Sequence, residues 1–115
     1  MAPLGLIAGL VALTDLSPNV GREQSGIRPC VIVSSPDFSD IQRQLAIVVP
    51  CTTTFRNWLN HVELTGKTGL QSSSFAMTEQ PRTVSTERII RIFGSIDDRS
   101  LAEVAGWVHR WIQPP

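Results

Sequence analysis

Three continuous apolar runs, Leu6–Leu16, Cys30–Val33 and Leu45–Cys51, organise the first half of the chain. Runs this short and this rich in valine and isoleucine predict strands covered on both faces, since a half-exposed strand would alternate. Ser17-Pro18-Asn19 closes the first run as a turn, and Pro50 interrupts the third near its end. His61-Val62-Glu63-Leu64 alternates instead, as a half-buried strand does, and Thr65-Gly66-Lys67 turns it. Shorter strands are predicted at Ser74–Met77 and Ile89–Ile96, the latter holding Gly94 at a bulge or close approach. Between the runs, Ser34–Asp40 is a polar excursion with room for a helical turn. Thr52–Leu59 reads as a loop carrying Phe55, Arg56 and Trp58.

The period changes only at the end. Leu101, Val104, Ala105, Val108 and Ile112 recur at helical spacing, Asp97 or Asp98 stands where a cap belongs, and Pro114-Pro115 stops the run. Trp107 and Trp111 border that stripe, either completing a core or meeting a partner. Five to seven short strands followed by one helix predict a mainly β (α+β) fold, a small curved barrel spanning residues 1–115 as one domain.

Composition narrows the setting. With 42% hydrophobic and 17% charged residues the chain is globular, and a formal net charge of zero gives no general pull toward polyanions. Any RNA or phosphate site must then be a local cluster. All but one of the ten basic residues are arginine, which suits bidentate phosphate recognition. Cys30 and Cys51 fall inside strand-like runs and are expected as buried free thiols, which favours a reducing cytoplasm. The apolar start, Met1–Leu13, lacks a basic leader and is too short to span a bilayer, so it is read as a first strand rather than a membrane segment.

The most distinctive polar stretch is Gly21-Arg22-Glu23-Gln24-Ser25-Gly26-Ile27-Arg28-Pro29, a glycine-bracketed loop between two strands. Pro29 biases Arg28 toward an extended conformation at the loop-to-strand junction. There Arg28 either pairs with Glu23 across the loop or offers its guanidinium to a phosphate. His61 and His109 are too far apart to suggest a metal pair, no Cys/His spacing fits zinc, and no nucleotide-binding glycine motif is present. What remains is arginine, hydroxyl and carboxamide chemistry at strand ends: Arg28, Thr52, Thr53, Gln80 and Arg82. Guanidinium cannot easily remove a proton, but it stabilises charge growing on a phosphate. Such a set suits a substrate that brings its own nucleophile, as RNA does with its 2′-hydroxyl.

In order along the chain, Gly21-Arg22-Glu23-Gln24 with Ile27-Arg28-Pro29, Val48-Val49-Pro50-Cys51-Thr52-Thr53, and Glu79-Gln80-Pro81-Arg82-Thr83 with Glu87-Arg88 and Gly94 form three motifs. Together they resemble the MazF/PemK (Kid) toxins of type II toxin–antitoxin systems, which are metal-independent endoribonucleases. The resemblance implies an SH3-like barrel with a C-terminal helix, acting as a homodimer on single-stranded RNA. It implies cleavage by 2′-hydroxyl attack, no cofactor, and a cognate antitoxin that blocks the RNA groove. By motif position Arg28, Thr52 and Glu23 carry over as catalytic residues. Arg22, Gln24, Thr53, Arg56, Glu79, Gln80 and Arg82 are expected to contact RNA.

Two departures stand out. The family's first strand usually opens with Arg-Gly-Asp or Arg-Gly-Glu, whereas here Ala8-Gly9-Leu10 carries neither charge. The PemK branch pairs an arginine with an acid two residues later, and here Met77 takes the arginine's place before Glu79. The Arg28/Thr52 chemistry is therefore expected over a PemK-style acid/base pair. A binding toxin on the same barrel, resembling the CcdB gyrase poisons through Trp111-Ile112, and a decayed toxin that only binds antitoxin are the alternatives.

Overall fold

A computed structural model describes residues 6–17, 21 and 26–114. Seven strands are present: β1 Leu10–Asp15, β2 Ile27–Ile32, β3 Leu45–Thr52, β4 His61–Glu63, β5 Phe75–Met77, β6 Arg82–Ser85 and β7 Ile89–Ser95. Two helices join them, α1 Pro36–Ile41 after β2 and α2 Asp98–Ile112 at the end. All pairings are antiparallel, in the order β4-β5-β3-β2-β1-β7, with β6 also on β3.

The continuous apolar runs have a direct explanation in the packing. Val11, Val31 and Val49 enter one core cluster, while their neighbours Ala12, Cys30, Ile32 and Val48 enter a second. Successive side chains on a strand point to opposite faces, so β1, β2 and β3 supply both clusters at once. The first cluster is closed over by α2 through Val104, Leu101 and Trp107; the second gathers Leu16, Ala46 and Val84.

β3 changes partners along one edge. Leu45–Val48 pair with β6, and Cys51–Thr52 pair with β5. Pro50 stands at the changeover, where a missing N–H interrupts least. The two ends of the pairing path, β4 and β7, are then bridged by backbone. Ser95 N–H donates to Lys67 O and Asp97 N–H to Thr65 O, both at 2.9 Å. Gly69 and Gly94 permit the approach: a Cβ on Gly69 would lie 2.2 Å from Phe93 O, and one on Gly94 2.2 Å from Lys67 O. The segment after β4 thus reaches back to the end of β7, giving the expected barrel-like arrangement with a C-terminal helix.

Asp97, the nearer of the two expected caps, starts α2, its carboxylate accepting from Ser100 N–H at 2.9 Å. Its other oxygen accepts from Thr65 Oγ1 at 2.7 Å, which ties the helix start to the segment that closes the barrel. The expected helical stripe needs one correction. Ala105 and Ile112 are exposed, and the buried face runs through Ser100, Leu101, Val104, Trp107 and Val108. Ser100 can be buried because its hydroxyl lies 2.6 Å from Thr65 Oγ1.

The first strand starts at Leu10, later than its apolar run. Gly9 adopts φ +99° and exchanges backbone bonds with Ile32 and Ile96, so the chain bends before β1. β6, at Arg82–Ser85, is a strand where the sequence predicts no element. Both cysteines are buried and free, as expected. Among the described residues no helix is long and apolar enough to cross a membrane.

Candidate active site

The β2–β3 ladder runs from Ile32↔Val48 to Cys30↔Pro50 and stops there. Continued two residues, the same register would set Arg28 opposite Thr52. Pro29 has no N–H with which to prolong it, and a side chain takes over. Arg28 Nη1 donates to the Cys51 carbonyl at 3.1 Å, the peptide immediately before Thr52. One arm of the guanidinium is thereby fixed on β3, while its buried Nε has no hydrogen-bond partner among the described residues. Thr52 is partly exposed, and its Oγ1 accepts from Thr54 N–H at 3.1 Å, which holds the hydroxyl at the strand end.

Arg82 opens β6 opposite Val48, on the other edge of β3. Cys30 reports the fields of both arginines. Burial pushes its thiol up to about 12, against the opposing pull of a hydrogen bond with Thr14 and of the Arg28 and Arg82 guanidiniums. Burial raises Cys51 as well. Neither thiol is therefore an available nucleophile near neutral pH. Of the sequence-predicted arginine–threonine set, Arg28 and Thr52 meet at one strand end with Thr53 next in the chain, while Arg82 enters four residues back along β3, opposite Val48.

Glu79 and Gln80 belong to a second group, one strand further out. Both carboxylate oxygens of Glu79 lie against His61 Nε2, at 3.1 and 3.2 Å, and Asn60 Nδ2 donates to Oε1 at 2.9 Å. Gln80 Nε2 reaches Oε2 at 3.4 Å. Burial works to raise the Glu79 pKa, but its own backbone N–H, His61 and Gln80 together hold it below the usual carboxylate range. The His61 side chain is only 3% exposed. Nε2 faces the Glu79 carboxylate, which only accepts, while Nδ1 has no partner among the described residues.

Above His61 lies Trp58, ring centroids 4.7 Å apart, and the Arg56 guanidinium sits 5.6 Å from the indole centroid. Asn57 between them has φ 57°, a left-handed turn that lets Arg56 meet the tryptophan face. His61 was legible in the sequence only as a strand residue. It is buried because Trp58, three residues before it, and Glu79, eighteen residues after it, cover its outer face. Arg22, Glu23 and Gln24 lie outside the described residues. Among the described residues, no three His, Cys, Asp or Glu side chains gather closely enough to hold a metal ion.

At the end of α2, Trp111 stacks on Trp107 at 5.5 Å and donates from Nε1 to Thr78 Oγ1 at 3.4 Å. The residue on which the gyrase-poison alternative depends is thus tied to Thr78, just past β5, and to its own helix.

The family described as PemK-like, MazF-like toxin of type II toxin–antitoxin system matches residues 8–112. The chain belongs to this family. Among its relatives, endoribonuclease EndoA of Bacillus subtilis is 32% identical over 99 residues, covering 84% of each chain. The crystal structure of MazF from Deinococcus radiodurans superposes with a TM-score of 0.81 at 22% identity, covering 99% of both chains. A mycobacterial endoribonuclease in complex with its cognate antitoxin shares the fold at a TM-score of 0.75 and 18% identity, over 99% of this chain and 98% of that one. The toxin's second and third sequence motifs are thus set on β3 and on the segment from Glu79 through β6, flanking Arg28 of the first.

Proposed function

We propose that this toxin is an endoribonuclease that cuts single-stranded RNA by attack of the substrate's own 2′-hydroxyl. The observation that carries the reading is Arg28: one nitrogen fixed on the Cys51 carbonyl beside Thr52, another buried and unpartnered among the described residues. Leaving a buried guanidinium N–H unsatisfied is costly, and a phosphate oxygen is the acceptor that suits it best.

In the proposed step, O2′ bonds to the adjacent phosphorus and the bond from phosphorus to the 5′-oxygen breaks. The products are a 2′,3′-cyclic phosphate and a 5′-hydroxyl. Arg28 donates to the non-bridging oxygen as charge builds there, and the Thr52 hydroxyl adds a neutral donor. Of the catalytic set only Glu23 can accept the 2′-hydroxyl proton, and the 5′-oxygen takes its proton from solvent water as it leaves. Arg82, Arg56, Arg22, Gln24, Thr53, Glu79 and Gln80 contribute RNA contacts around this centre. No metal or cofactor enters the step.

The toxin acts as a homodimer in the cytoplasm and is held in check by a cognate antitoxin that covers the RNA site. The antitoxin-bound mycobacterial relative supports this partner. Ile90 and Ile92 support the dimer: they project from edge strand β7, 54% and 42% exposed, as an apolar surface a second copy would cover.

The test is incubation of purified toxin with end-labelled single-stranded RNA in EDTA, followed by analysis of the new ends. Cleavage with cyclic phosphate and 5′-hydroxyl termini is expected, and one 2′-deoxy substitution at the cut should abolish it. Loss of activity in EDTA, or cutting of the deoxy substrate, would sink the mechanism.

A further inference from the structure

Trp58 is a large aromatic residue, 51% exposed, on the loop that leaves Thr52 and enters β4. Exposed tryptophans on loops are usually free to turn; this one is held. His61 packs against its ring from the protein side, and His61 is itself fixed by both oxygens of Glu79. Arg56 lies over the indole, and the preceding Phe55 rests on Phe75 with centroids 5.6 Å apart. Phe75 is the strand partner of Thr52. The loop is therefore pinned at both ends, and it presents an ordered indole whose ring a base would reach by moving the Arg56 guanidinium aside.

The groups around that surface suit a nucleobase. Asn60, Glu79 and Gln80 form one hydrogen-bonded set at its foot, supplying both amide and carboxylate groups to a base edge. Position fits as well. His61 pairs with Met77, two residues along β5 from the Thr52 partner Phe75 and one strand further out. Ordinary sheet spacings then place it about 12 Å from Thr52. A strand of RNA with its scissile phosphate at Arg28 and Thr52 brings a flanking nucleotide over this distance. Single-stranded RNA is bound by stacking unpaired bases on aromatic side chains and reading their edges.

We infer that Trp58 is a specificity-determining residue, the stacking platform for one unpaired base flanking the cut, with the Asn60–Glu79–Gln80 set at that base's edge. This rests on the endoribonuclease reading proposed above and adds to it a subsite two strands outward from Thr52, across β5. The neighbouring arginine favours nucleic acid over an apolar protein segment, because a phosphate beside the stacked base would meet Arg56.

The test is a binding and cleavage comparison of the full toxin with its Trp58→Ala and Trp58→Phe variants. The probe is a single-stranded oligoribonucleotide containing the mapped cut site, scanned with one abasic position at a time; a 2′-deoxy residue at the cut keeps it intact for binding. Trp58→Ala is expected to weaken binding roughly 5- to 100-fold, as loss of one base–aromatic stack does. Trp58→Phe should stay within a few-fold of wild type. At one flanking position the abasic substitution should weaken wild type by a similar factor yet leave Trp58→Ala unchanged. Full penalties for every abasic probe in the Trp58→Ala variant would overturn the assignment. So would wild-type RNA binding by Trp58→Ala, and loss only of antitoxin binding would make the surface a protein-docking site instead. A wild-type toxin that neither binds nor cuts the RNA would remove the endoribonuclease reading itself, whereas a cutting wild type with an indifferent Trp58 removes only the platform.

Discussion

Arg28 and Cys51 are joined side chain to backbone, Nη1 to carbonyl oxygen at 3.1 Å, at the place where the ladder between their strands ends. The bond orients the guanidinium and leaves its remaining donors for substrate. Arg28→Ala should therefore lower turnover by roughly 10²–10³, the usual loss for one donor to a developing oxyanion. Arg28→Lys should recover little, because an ammonium cannot hold the carbonyl and the phosphate in one planar geometry. Single-turnover cleavage with separately measured RNA affinity checks this; affinity should change less than rate. An Arg28→Ala toxin that is folded and cleaves at the wild-type rate would remove Arg28 from the catalytic set.

Thr52 contributes one neutral hydroxyl, oriented by the Thr54 N–H. Thr52→Ser keeps that hydroxyl and should retain most activity, whereas Thr52→Ala should lose much of it. Both should melt near wild type, since the residue lies at a strand end with its side chain partly exposed. Equal rates for the serine and alanine variants would show that the hydroxyl is not used.

The Glu79–His61 contact gives the fold an acid-sensitive element. Glu79 is held below the ordinary glutamate range, so the folded state binds its proton less readily than the unfolded chain does. The stability this supplies is complete above the unfolded-state pKa and disappears as pH falls through the lowered folded value. Glu79→Gln should be less stable than wild type near pH 6, and the gap should close toward pH 3. Urea midpoints across that range measure it, and a gap independent of pH would show that the carboxylate charge contributes nothing.

Barrel closure predicts opposite outcomes for two glycines. Gly69 has φ +75°, and a Cβ there would meet the Phe93 carbonyl at 2.2 Å, so Gly69→Ala must part β7 from the closing segment. A loss of about 2 kcal/mol or more is expected from strain and backbone displacement combined. Gly106 lies within α2 with nothing within 4 Å of a built Cβ. Gly106→Ala should stabilise by about 0.5–1 kcal/mol through helix propensity. Thermal melts of the two variants decide this, and a shift of the same sign in both would contradict the closure geometry.

Much of this architecture was legible in the order of residues, for reasons the structure makes plain. The runs around Val11, Val31 and Val49 announced strands because those strands are covered on both faces. β6 was not legible: Arg82-Thr83-Val84-Ser85 has a single buried residue, Val84, and follows a proline. On α2, the bulky Trp107 displaced the buried face away from Ala105, and Ser100 joined it only through Thr65, thirty-five positions earlier. The arginine–threonine centre was readable from its motifs, since Arg28 and Thr52 sit at the same end of neighbouring strands. The Trp58–His61–Glu79 group was not, because Glu79 joins the local Trp58–His61 pair only once the β4–β5 register His61↔Met77 has formed.

That β1 lies between β2 and β7 bears on when such a chain becomes dangerous to the cell making it. The first strand acquires its second neighbour only after residues 89–95 have been synthesised, and α2 covers the first core cluster later still. Pairings so distant in sequence form late and slowly. The strand carrying Arg28 therefore stands on an unfinished sheet until residues 89–95 and α2 have joined it. A chain built in this order leaves an interval between making its arginine strand and completing the sheet that supports it.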